Sequence, residues 1–91
     1  MEIARIQLII TGKVQGVGYR FSAKQQAEQL GITGWVKNRP NGHVEIMAEG
    51  YQQQLNQLLT WAQNGPQFAN VDDIVINNLT AHNEFDQFTI R

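Results

Sequence analysis

Apolar and polar residues alternate at the start of the chain. Ile6, Leu8 and Ile10 fall on one side of an extended segment and Arg5, Gln7 and Thr11 on the other, which predicts a first strand over residues 3–11. Ile9 breaks that alternation. The period then changes. Between residues 20 and 30, Phe21, Ala23, Ala27 and Leu30 supply a narrow apolar stripe among Lys, Gln and Glu, and the pattern predicts a helix stopped by Gly31. Residues 32–37 read as a second strand. Asn38-Arg39-Pro40-Asn41-Gly42 follows with turn chemistry, Asn-Gly being its hairpin signal. From His43 to Gly50 the alternation is clean, with Val44, Ile46 and Ala48 on one face and Glu45, Met47 and Glu49 on the other.

A second helix is expected over residues 51–63, where Tyr51, Leu55, Leu58, Leu59 and Ala62 recur at helical spacing and Gln and Asn fill the remaining surface. This stripe reads as core, not as a cofactor site. Gly65-Pro66 ends the helix, after which residues 71–79 read as a fourth strand and residues 85–90 as a short fifth. No repeat, linker or low-complexity tract interrupts the chain. The order β-α-β-β-α-β predicts an α+β fold of ferredoxin-like type: an antiparallel sheet with both helices on one face and a short fifth strand, in a single domain over residues 1–91. In that topology strands one and two run parallel with strand three between them. Their C-terminal ends then share one edge, two strand spacings or about 10 Å apart, so the residues after strand one meet Asn38.

Composition narrows the setting. With 91 residues and 42% hydrophobic content the chain supports one modest core. The absence of cysteine excludes a disulfide framework and a thiolate metal site. Met-Glu-Ile-Ala-Arg is not a signal sequence, and no apolar run approaches membrane-spanning length. The expectation is a cytoplasmic monomer with no membrane partner, in which Asn78-Leu79-Thr80 never meets the glycosylation machinery. The net charge of −1 hides an asymmetry: Arg5, Lys13, Arg20, Lys24, Lys37 and Arg39 precede residue 45, where Glu2 and Glu28 are the only acids. This predicts an electropositive region that draws a small anion. A slightly acidic total speaks against nucleic acid, as does a third strand whose outward face carries Glu45, Met47 and Glu49 in place of exposed aromatics.

The candidate chemistry lies in Gly12-Lys13-Val14-Gln15-Gly16-Val17-Gly18-Tyr19-Arg20, between the first strand and the first helix. Glycines there let backbone N–H groups converge at a helix N-terminus, a ready site for phosphate. Arg20 in the first helical turn is locally unfavourable by roughly 0.3–1 kcal/mol, a sign an adjacent anion would reverse. The spacing is neither that of a P-loop nor that of a dinucleotide fingerprint, because Phe21 stands where a third glycine belongs. A phosphoryl group would receive N–H bonds from Gln15, Gly16, Val17, Gly18, Tyr19 and Arg20, with the Arg20 guanidinium suited to two of its oxygens. Asn38 offers a carbonyl acceptor and an amide donor, which suits it to hold an attacking water in line with phosphorus. It is also an ordinary residue for a turn.

The order Gly-x-Val-Gln-Gly-Val-Gly-Tyr-Arg, followed by Gly34-Trp35-Val36-Lys37-Asn38 and Gly42-x-Val44, closely resembles the acylphosphatase family over essentially the whole chain. The resemblance implies hydrolysis of the carboxyl–phosphate bond of small-molecule acyl phosphates, with Arg20 binding phosphate and Asn38 positioning water as the two catalytic residues. It departs at Arg39, where family members often carry a small hydroxyl residue, and Arg39 is expected to add a second cation at the mouth. Neither motif contains a general base, a carboxylate cluster or paired histidines. The expectation is therefore a reaction of positioning and electrostatics without metal or cofactor. His43 and His82 read as structural, and Trp35 and Trp61 as packing residues. Tyr19 either packs beside the acyl group or closes the loop. Two rival readings are a non-catalytic ferredoxin-like module and the phosphate-binding appendage of a larger carbamoyl-transfer enzyme.

Overall fold

A computed structural model describes residues 2–91. The elements follow the expected order: β1 (Ile3–Lys13), α1 (Tyr19–Leu30), β2 (Thr33–Asn38), β3 (Val44–Tyr51), α2 (Gln52–Ala62), β4 (Asn70–Leu79) and β5 (Phe88–Ile90). They form one five-stranded sheet in the order β4-β1-β3-β2-β5. Pairing is antiparallel for β4 with β1, β1 with β3, and β3 with β2. The antiparallel expectation thus holds for four strands, while β5 adds to the edge of β2 in parallel, making the sheet mixed. Strand β3 does lie between β1 and β2, so the ends of those parallel strands share an edge.

Register shows which residues share a face. Leu8 stands opposite Ile46, and Ile46 opposite Val36; all three are fully buried under the helices. Each such aliphatic side chain contributes about 1.5–3 kcal/mol by leaving water. From α2 the core receives Leu55, Leu58 and Ala62, and from α1 it receives Tyr19, Ala23 and Ala27. The α1 stripe therefore departs from the expectation in one residue: Phe21 is 61% exposed. At roughly 100° per residue it lies about 200° from Ala23, whereas Tyr19, Ala23, Ala27 and Leu30 fall within about 80° of one another.

The last strand is shorter than the pattern suggested, since residues 85–87 lie outside it and the strand begins at Phe88. Strands β4 and β5 occupy opposite edges, so the intervening residues must cross the end of the sheet, and they do so on the face away from the helices. Phe85 lies there beneath the Arg5 guanidinium, 5.0 Å from its ring centre. The main-chain N–H of His82 donates to Glu49 Oε2 at 2.8 Å. Glu45 and Glu49 project from the helix-free face as the alternation indicated, yet both are buried.

Candidate active site

Two turns meet at the edge where β1 and β2 end. The first leads from β1 into α1 through Gly16 (φ 75°) and Gly18 (φ 79°). Both occupy the left-handed region that L side chains rarely adopt. A Cβ at either would meet nothing within 4 Å. Backbone conformation, not crowding, is thus what glycine supplies there, and the space where a side chain would stand is open. Gly18 is the N-cap of α1, with no side-chain cap and no acid in the first turn. The first intrahelical bond runs from Ser22 N–H to Gly18 O at 3.0 Å. The amides of Tyr19, Arg20 and Phe21 accordingly have no partner within the helix, and they stand at the positive end of its dipole.

The second turn joins β2 to β3. Arg39 N–H donates to His43 O at 2.8 Å and Gly42 N–H to Arg39 O at 3.1 Å, while Asn41 Oδ1 accepts from His43 N–H at 3.1 Å. Asn38 is the last residue of β2, paired with Val44. Between the two turns lies a pocket of about 200 Å³ walled by Val14, Gly16, Gly18, Tyr19, Arg20, Phe21, Asn38 and Ile90. The structure therefore brings Arg20, Asn38 and most of the glycine turn around one space. Gln15 and Val17 belong to the same turn but not to that wall. Val17 packs on the core, and the Gln15 side chain reaches across to the β2–β3 turn, where Nε2 donates to Arg39 O at 2.8 Å and His43 O at 2.9 Å.

Cations divide sharply. Arg5, Lys24, Lys37 and Arg39 each face a carboxylate, whereas Lys13 forms no ion pair among the described residues. Arg39 turns to Glu45, 3.8 Å away, and takes no part in the pocket wall, contrary to the second cation expected at the mouth. Arg20 has no ion pair among the described residues. Its Nη1 donates only to the main-chain oxygen of Arg91, at a long 3.3 Å.

Tyr19 closes the loop. Its ring is buried, 5.2 Å from that of Trp61, and Oη donates to Ala62 O at 2.8 Å. Burial pushes the phenol well above its ordinary pKa, which keeps it a neutral donor. Neither imidazole lines the pocket. Asn38 Oδ1 is covered and has no hydrogen-bond partner among the described residues, an arrangement that costs about 1–3 kcal/mol.

Comparison with known proteins places this geometry in a family. The acylphosphatase family profile matches residues 6–90. An acylphosphatase from Marinobacter nauticus is 50% identical over 88 residues, covering 97% of this chain and 96% of that one. The crystal structure of acylphosphatase from Bacillus subtilis superposes with a TM-score of 0.93 at 35% identity, covering 97% of this chain and 98% of that chain. A full-length HypF in a phosphate- and nucleotide-bound form shares the fold at a TM-score of 0.87 and 24% identity, this chain spanning 12% of its length.

Proposed function

The chain belongs to the acylphosphatase family, and we propose that Arg20, the open amides of the glycine turn and Asn38 together perform its reaction. The enzyme hydrolyses acyl phosphates to carboxylate and inorganic phosphate. On this reading the phosphoryl oxygens accept from the amides of residues 15–20 and from the Arg20 guanidinium, whose planar fork suits two of them. Water attacks phosphorus opposite the acyl oxygen. The P–O bond breaks, the carboxylate departs with the electron pair, and a phosphate oxygen of the substrate takes the water's proton. A carboxylate is a good leaving group, so the protein's part is to place the water and to stabilise charge.

The observation that carries the reading is that Asn38, whose Oδ1 has no hydrogen-bond partner among the described residues, lines the same pocket as an arginine without a side-chain ion pair and an uncapped helix start. Because Oδ1 is covered in this arrangement, the carboxamide must turn as substrate enters, a rotation about a broad, soft torsion. It then accepts from the water. The wall holds no carboxylate, imidazole or thiol, which supports a reaction that needs no metal. No described helix is long and apolar enough to cross a membrane. A cytoplasmic monomer acting on a small acyl phosphate, with residues 1–91 as its one domain, completes the proposal.

Asn38→Ala tests it. The variant should bind inorganic phosphate within a few-fold of wild type and lose roughly 10² in turnover, with circular dichroism and thermal unfolding confirming that the turn survives. A folded Asn38→Ala protein with wild-type turnover of a synthetic acyl phosphate removes the water-positioning role.

A further inference from the structure

The Gln15 side chain is half-buried between the two turns that build the pocket, and its hydrogen bonds span 24 and 28 residues of sequence. Both partners are carbonyl oxygens, so only the NH2 end of the carboxamide can face them, and its orientation is settled by the partners themselves. Each carbonyl already accepts one backbone N–H: Arg39 O from Gly42 and His43 O from Arg39. Gln15 takes the second lone pair of each. A single side chain thus ties the phosphate turn to the two carbonyls that close the β2–β3 turn, the first of them on the residue directly after Asn38.

Arg20 and Asn38 belong to different elements, and β1 and β2 are not neighbours, since β3 separates them. The distance from the phosphoryl group to the water is therefore set by backbone two strand spacings apart, about 10 Å. An error of about 1 Å there is enough to lower an in-line displacement about 10²-fold. We propose that Gln15 is a positioning residue for the reaction: its two hydrogen bonds hold the Asn38 turn against the phosphate turn, so that the water stands in line with phosphorus. The inference rests on the role given above to Asn38. Gln15 itself touches neither the phosphoryl group nor the water through its side chain.

A double-mutant cycle tests this, with Gln15→Met keeping the length of the side chain while removing both donors. In the wild-type background Gln15→Met should lower kcat about ten-fold or more and leave inhibition by inorganic phosphate within three-fold. In the Asn38→Ala background the same change should alter kcat less than two-fold, because there is no longer a water-holding group to misplace. An equal loss in both backgrounds, an unchanged kcat, or a phosphate inhibition constant that rises in step with the loss overturns the inference. Gln15→Glu supplies a second arm that stands even if Gln15→Met does not fold. Its carboxylate repels the two carbonyls, and its protonated form donates to one of them. The deficit relative to wild type should therefore shrink as pH falls through the carboxyl range, about 4–5; a deficit independent of pH counts against the proposal. Asn38→Ala alone separates the two claims. Full activity in that variant removes the Asn38 reading, whereas the expected loss there combined with an additive cycle removes only the role of Gln15.

Discussion

An arginine stands at each end of the sheet, and the two are treated in opposite ways. Arg5, at the start of β1, is nearly buried and saturated. Its Nε donates to Glu49 Oε2 at 2.9 Å, its Nη2 to Glu84, and its guanidinium lies over Phe85. The hydrogen bond to Glu84 raises its pKa, against burial, which lowers it, and Glu49 adds to the rise. Burial alone would push the Glu49 carboxyl up, but the His82 amide and Arg5 hold it below its ordinary value. Arg20, at the other end, has a single acceptor, the main-chain oxygen of Arg91 at 3.3 Å, and no side-chain carboxylate partner among the described residues.

Each end also contains one covered oxygen without a hydrogen-bond partner, Glu49 Oε1 and Asn38 Oδ1. An orphan oxygen alone therefore does not mark a site. At the closed end the charge around Glu49 is already balanced by Arg5, and the Asn83 amide lies near enough to help lower the Glu49 pKa without completing a hydrogen bond. At the open end the orphan sits beside a cation with no side-chain counter-charge among the described residues and a helix start with no cap; an anion would complete the last two, while the orphan oxygen needs a donor such as the attacking water.

Arg20→Ala should break the open end most severely. Turnover of an acyl phosphate should fall on the order of 10³-fold, as for loss of a donor aimed at transition-state charge, and inhibition by inorganic phosphate should weaken with it while thermal stability holds. Unaltered phosphate affinity in this variant would transfer the role to another cation. The closed end should give the reverse result. Glu49→Gln removes the buried one of the two carboxylates on Arg5, leaving Glu84, and should destabilise by about 1.5–3 kcal/mol, read by urea unfolding, with kcat within two-fold of wild type.

The acid limb sharpens that contrast. Since the folded-state pKa of Glu49 is lowered, its contribution is present above the unfolded value, about 4.3, and is lost as pH falls through that value toward the folded one. The stability gap between wild type and Glu49→Gln should therefore close below about pH 4; a gap constant with pH would show that the ion pair is not its source. The smallest effect expected is none. The pocket wall lacks the carboxylates that gather at the closed end, so a chelator should leave activity unchanged. Activity abolished by the chelator and restored by a divalent ion would defeat the metal-independent reading.

What the sequence determined by itself was whatever depends on near neighbours along the chain. Strand alternation, the helical stripe of α2, the Asn-Gly turn and the glycine turn before α1 have periods or signatures a few residues long, and all are found where those signatures stand except that Tyr51, expected in the α2 stripe, ends β3 and is exposed. The meeting of Arg20 with Asn38 was legible too, because a split β-α-β unit leaves only one edge where the two turns can lie. The expectation that Phe21 shares the apolar stripe with Ala23 was wrong, although its angle on the helix, nearly opposite Ala23, could be counted from the sequence. Only the tertiary structure decided the rest: that Gln15 bonds residues 24 and 28 positions away, that Arg5 reaches Glu49 across 44, that Arg39 turns to Glu45, and that β5 joins β2 in parallel. The physical reason is common to all four. Hydrogen bonds, ion pairs and edge pairing between distant segments have no period along the chain. The residues after β4 that cover Glu49 have neither alternation nor a helical stripe from which their path across the sheet could be read.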